Sequence, residues 1–191
     1  MIAFKGFTQD LTASFGRGNK KYPVGEKVVE EKSKYSSCGM HCAEDPLYTV
    51  SYYPLGSGRY YMVEAAGSLD EDGSTTQIAC TEMTLLKELT HKQLAGYGMM
   101  YMVQHPTRDW KKNYRTCMVR PDEAEGTGIN SIAIARGKNP RVRGKKGSVL
   151  GLIVEKKQGE ITGAKVFEVD GAVREDTWYT LYRGKLKEVD V

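Results

Sequence analysis

No stretch of the chain approaches the roughly 18 consecutive apolar residues of a membrane-spanning helix, so none is expected. The opening MIAFKGFTQD lacks a basic segment followed by an apolar one, and no secretory leader is expected. Cysteine is sparse. Cys38, Cys42, Cys80 and Cys117 have no framework spacing and read as reduced, buried thiols of a cytoplasmic protein. Walker, dinucleotide-fingerprint, H-E-x-x-H and EF-hand patterns are all missing, which removes the motif-bearing nucleotide, zinc-protease and calcium classes. Proline is modest at 6, whereas glycine reaches 21, a balance that favours strands and turns over a helical bundle.

The 191 residues are 40% apolar, enough for one ordinary core or one compact domain with an appendage. The net charge of +4 hides an asymmetry. Residues 1–90 carry nine Lys/Arg against twelve Asp/Glu, and residues 91–191 carry nineteen against twelve. A basic second half is compatible with nucleic acid, nucleotides or an acidic protein, and charge alone does not choose among them.

Alternation in IAFKGF and RYYMVEAAG predicts strands; EKVVEE and TQIACTEM read as strands too. Asp45-Pro46 is an N-cap followed by a first helical residue, so PLYTVSYY is expected to be a short helix ended by Pro54. In TLLKELTHKQLAGYGMMYMV, Leu85, Leu86, Leu89 and Leu94 have helical spacing. Beyond residue 126 short strands alternate with glycine, and turns are expected at Gln158-Gly159 and Arg183-Gly184.

The segment CGMHCAEDPLYTVSYYP (38–54) concentrates two cysteines, a histidine, two acids and three tyrosines. Zinc takes about four ligands, usually from two closely spaced pairs, and only one pair is present. In an extended chain Cys38, Met40 and Cys42 share one face and His41 takes the other, which opposes joint coordination and a Cys42–His41 catalytic pair alike. Two readings of His41 stay open: lining a cleft with Lys5 and Glu64, or a satisfied core histidine.

RGKNPRVRGKKG (136–147) holds six cations and no acid. Arg136, Lys138, Arg141, Arg143, Lys145 and Lys146 are the candidate phosphate ligands, because cations interleaved with Gly and Pro suit phosphate oxygens. The competing reading is a solvated basic edge that blocks strand-to-strand aggregation. No aromatic residue interrupts the run, so base stacking is not indicated and nucleic acid is not the favoured partner. Glu64 and Glu82 could flank a cleft, but strand surfaces carry glutamate routinely.

AFKGFTQDL, YSSCGMHCAEDPLYTVSYYP, GSGRYYMVEAAG and TQIACTEMTLLKEL together resemble an uncharacterised domain of phage and prophage proteins, with Met40 standing at an aromatic position. GTGINSIAIARGKNPRVRGKKGS is similar to the Gly-rich G-x-x-S-x-A repeats that follow that domain, and to the coiled strands of trimeric adhesin heads. Residues 91–125 match least. The resemblance implies a β-roll and a homo-oligomer, a trimer, and SIAIA supports this with a face of small residues (Ser131, Ala133, Ala135) opposite Ile132 and Ile134. Residues 1–90 also resemble a reduced ADP-ribosyltransferase-like domain, which implies NAD as cofactor and Lys5, His41, Tyr53 and Glu82 as its site. Lys5 replaces an Arg or His, Met-His-Cys replaces Ser-Thr-Ser, and no Glu-x-Glu occurs.

The reading as a whole is an α+β protein. It has a small mixed domain at 1–90, a connecting segment at 91–126, and a β-rich, basic oligomerisation region at 127–191. The expected function is that of a phage- or prophage-encoded, non-enzymatic accessory protein of the host cytoplasm. It would bind a host protein or a phosphorylated small molecule to counter defence, with no cofactor, no metal and no membrane. The alternatives are an NAD-dependent ADP-ribosyltransferase and a virion trimer.

Overall fold

The computed structural model describes residues 1–14, 19–71, 73 and 75–189. Strands hold 52% of the described residues and helices 11%. This corrects the α+β expectation: the protein is mainly β, in several sheets, with two helices among the described residues. The chain divides into two compact units, residues 1–90 and 91–191.

Unit 1 contains β1 (Ile2–Phe7), β2 (Thr12–Ala13), β3 (Lys20–Lys21), β4 (Lys27–Val29), β5 (Met40–Ala43), a 3₁₀ helix (Pro46–Ser51), β6 (Arg59–Asp70) and β7 (Gln77–Leu89). Its long pairings are antiparallel and close on themselves: β1 pairs with β5 and β6, β5 with β7, and β7 with β6. Closure leaves an interior that alternate side chains fill. Ala3, Phe7, Cys42, Val63, Ala65, Ile78, Cys80 and Met83 are among them. The helix expected across 84–103 is a correction. Residues 84–89 continue β7, because Met83, Leu85 and Leu89 are buried at strand spacing against β6. A bulge interrupts β6–β7, where Gly67 takes φ +74° and Ala66 pairs with Glu82 but Leu69 with Cys80. The bulge shifts the alternation, so Ile78 and Cys80 face inward before it and Met83 and Leu85 after it.

Unit 2 contains α1 (His91–Gln104), β8 (Lys112–Asn113), β9 (Cys117–Gly126), β10 (Ile132–Gly144), β11 (Val149–Glu155), β12 (Ile161–Glu168), β13 (Trp178–Tyr182) and β14 (Lys185–Val189). Residues 91–126, read as a connecting segment, are thus built into this unit as α1, β8 and β9. β9, β10 and β11 stack in parallel, with Cys117, Ile132 and Val149 side by side. Parallel neighbours ordinarily require a crossover of a dozen residues or more. Here β10 turns a corner at residues 137–140, and its second limb serves as the crossover. At the opposite corner Gly126 and Gly144 lie in register against Ser148. The Gly128 N–H donates to Ser148 Oγ at 2.9 Å, and Ser131 Oγ lies 3.2 Å from Ser148 Oγ. These contacts give the glycine–serine spacing of the repeat its physical meaning.

The small face of SIAIA is occupied within the chain, since Ala133 and Ala135 cluster with Ala124 and Val142. Helix α1 packs on β11 and β12, and Gly151 leaves room for Met99. The β13–β14 hairpin turns on Arg183 (φ +48°) and Gly184 (φ +75°), the two positive values that a two-residue turn of this hand requires.

Candidate functional site

The candidate site lies wholly within unit 1. Asp45 caps the 3₁₀ helix, its Oδ1 accepting from the Leu47 N–H at 3.0 Å, and Pro46 follows as the first helical residue. The helix delivers Tyr48, Tyr52 and Tyr53 to the outside of β1. Tyr48 and Tyr52 meet edge to face at 5.7 Å, and Tyr53 Oη accepts from the Ser14 N–H. Gly6 is required there: a Cβ would lie 2.7 Å from Tyr53 Cδ2.

The seam between β1 and β5 is weak. The two strands share one register pair, Phe4 with Ala43. Next to it the His41 carbonyl accepts from Lys5 Nζ at 2.5 Å. A side-chain ammonium bonds here where a continued ladder would use a backbone N–H. Along this seam runs a cleft of about 840 Å³. Its wall includes Lys5, Tyr22, His41 and Cys42 from the barrel side, and Tyr48 and Tyr53 from the 3₁₀ side.

Lys5 is the unusual group. Ala3, Lys5 and Phe7 share the inward face of β1, and Lys5 is only 9% exposed. Its Nζ stands 5.6 Å from the Phe7 ring centre and 5.4 Å from that of Tyr22. Among the described residues no carboxylate pairs with it. Burial in this apolar setting lowers its pKa from 10.5 to about 8, against an opposing pull from Cys42 and then Cys80. Cys42 is itself pushed well up by its hydrogen bond with Cys80 and by burial, so it stays a neutral thiol. Burial, then Lys5, lowers the His41 pKa. Its Nε2 is buried and has no hydrogen-bond partner among the described residues. A second cation of the cleft wall, Lys20, is bonded to Glu30.

Three residues of the transferase set, Lys5, His41 and Tyr53, therefore share one cleft, and the fourth does not. Glu82 follows the β6–β7 bulge, faces outward and pairs with Lys27 at 2.6 Å. Glu64 is exposed on β6. His41 lies on the face of β5 away from Met40 and Cys42, and it lines the cleft.

The basic run of unit 2 is mostly neutralised. The Arg136 side chain is fully buried; it bonds Glu155 at 2.5 Å and the Pro106 carbonyl at 2.6 Å, and stacks on Trp110. Arg141 and Arg143 pair with Glu123 and Glu125, their register neighbours on β9, at 2.7 and 2.9 Å. Both lie over the Trp178 ring. Lys145 pairs with Asp176. Lys138 and Lys146 are exposed, and among the described residues their side chains form no ion pair. The sequence could not show the acid rungs, because Glu123 and Glu125 reach the arginines only through parallel stacking.

Among the described residues, no three of His, Cys, Asp and Glu converge to hold a metal ion, and no helix is long and apolar enough to cross a membrane. Unit 1 is thus a closed antiparallel barrel with a cleft opened along one seam. The chain belongs to the family described as a domain of unknown function (DUF7666), whose pattern matches residues 1–96. No curated protein and no solved structure matches it significantly.

Proposed function

We propose that unit 1 is a non-enzymatic binding module that takes a small anionic molecule, such as a phosphorylated metabolite, into the β1–β5 cleft. One observation carries this reading: Lys5 is a buried ammonium on the wall of the cleft with no carboxylate partner among the described residues. A buried cation is costly unless paired, and an entering anion supplies the missing charge. The tyrosines of the 3₁₀ segment offer a flat surface for the rest of the ligand. Transfer chemistry on NAD needs a carboxylate at the developing positive charge. Glu82 faces away from the cleft, which favours binding without transfer. Sequestering such a molecule is how a phage-encoded accessory protein would blunt a host signal.

The test is native mass spectrometry of the 191-residue chain from expressing cells, wild type against Lys5→Met. The expected result is a small anion retained by the wild type and lost in the folded variant. The reading fails if no anion is retained and no phosphorylated probe raises the melting temperature of unit 1.

A further inference from the structure

Resting on that reading, we infer that Lys5 takes its ligand covalently, its amine condensing with the carbonyl carbon of a small anionic aldehyde or ketone. The geometry of the amine supports this. An ammonium has three N–H donors, and among the described residues Lys5 makes one hydrogen bond, to the His41 carbonyl. The rest of the group faces the rings of Phe7 and Tyr22. A protonated imine has a single N–H, which matches the single acceptor. The seam between β1 and β5 gives the carbonyl compound its approach, because the ladder stops at Phe4 and Ala43. The neighbouring thiol Cys42 stays protonated, so it does not compete with the amine for the carbonyl carbon.

The step balances without a further reagent. The neutral amine attacks the carbonyl carbon, a C–N bond forms, and the carbonyl oxygen takes a proton to give a carbinolamine. Loss of that hydroxyl as water leaves C=N. The sum is ammonium plus aldehyde giving protonated imine plus water, so the positive charge stays beside the ligand's anionic group. Burial supports the step from the other side. With its pKa lowered to about 8, roughly a tenth of Lys5 is neutral at pH 7, against well under a thousandth for an ordinary lysine.

The probe is pyridoxal 5′-phosphate with sodium borohydride, read by intact mass and peptide mapping. The expected result is one reduced adduct per chain on the Lys5 peptide, formed about tenfold or more faster than on exposed Lys138 and Lys146, and absent in Lys5→Arg. The wild type alone also tests the idea, should Lys5→Arg misfold. Labelling at Lys5 should level off above about pH 8, while the exposed lysines go on rising to about pH 10. Adducts spread over the surface lysines, or a Lys5 profile matching theirs, overturn the inference. Pyridoxine 5′-phosphate, which lacks the aldehyde, separates the two readings. If it stabilises unit 1 while pyridoxal phosphate labels at random, anion binding stands and imine formation falls. If neither compound acts on unit 1, both fall.

Discussion

Lys5 in unit 1 and Arg136 in unit 2 are both cations taken out of water, and the two units treat them in opposite ways. Arg136 is paired: a carboxylate, a carbonyl and an indole ring surround it within its own unit. Lys5 has one carbonyl, two rings and the thiols of Cys42 and Cys80, with no carboxylate among the described residues. The first arrangement spends the charge on holding β10, β11 and the segment before β8 together. The second leaves charge and donors available on the wall of a cleft. The same contrast holds for exposed cations, since Arg141 and Arg143 are matched rung by rung with Glu123 and Glu125. A basic run is therefore weak evidence for an anion site, and a lone lysine in an acidic half is the better lead.

Breaking the paired side should have the largest effect. Glu155→Ala strands a fully buried guanidinium and should destabilise unit 2 by about 3–5 kcal/mol. Trp110 and Trp178, the chain's two tryptophans, both lie in unit 2, so denaturant unfolding followed by tryptophan fluorescence isolates the effect. If the midpoint barely moves, Arg136 is not held as described here.

Lys5→Met tests the opposite side and should stabilise unit 1 by about 2 kcal/mol at pH 7, the relief of burial less one lost hydrogen bond. The pH dependence has a definite sign. Folding lowers the proton affinity of Lys5, so between about pH 8 and 10.5 its own contribution to stability rises with pH, opposed by Tyr22 and Cys42, whose proton affinities folding raises. Below pH 8 Lys5 is protonated in both states and its full penalty is present. Around Lys5 the other titratable groups are His41 and Cys42 on β5, Cys80 on β7 and Tyr22, and all of them stay in the variant. That contribution should vanish in Lys5→Met, measured by hydrogen exchange on β1 and β6 amides. A rise that survives the substitution would belong to another group.

The smallest effect belongs to the exposed ladder. Glu123→Gln with Glu125→Gln should lower the stability of unit 2 by about 1 kcal/mol or less, because both acids are half exposed. The midpoint of Trp178 fluorescence is the readout. A loss as large as that of Glu155→Ala would erase the distinction between buried and exposed pairing.

Local chemistry was readable where it acts over a few residues. Asp45-Pro46 specified the start of the 3₁₀ segment, Arg183-Gly184 specified a hairpin turn, and alternation placed His41 on the face opposite Met40 and Cys42. The helix expected over 84–103 shows where that reasoning ends. Leu85 and Leu89 suit a helix face and a strand face equally well, and only pairing with β6 decided for the strand. The site was partly visible: Lys5, His41 and Tyr53 were named as candidates, while Tyr22 was not, since nothing near it in sequence marks it as a neighbour of Lys5.

The sequence by itself determined the strand-and-turn texture, the division of charge between the two halves and the residues able to carry chemistry. The tertiary structure decided which of those charges are spent. Closure of the unit 1 barrel put Lys5 beside rings and thiols, while parallel stacking in unit 2 put an acid beside Arg136, Arg141 and Arg143. Pairing of charges depends on partners tens of residues away along the chain, and only the register of the strands brings them within a few ångströms.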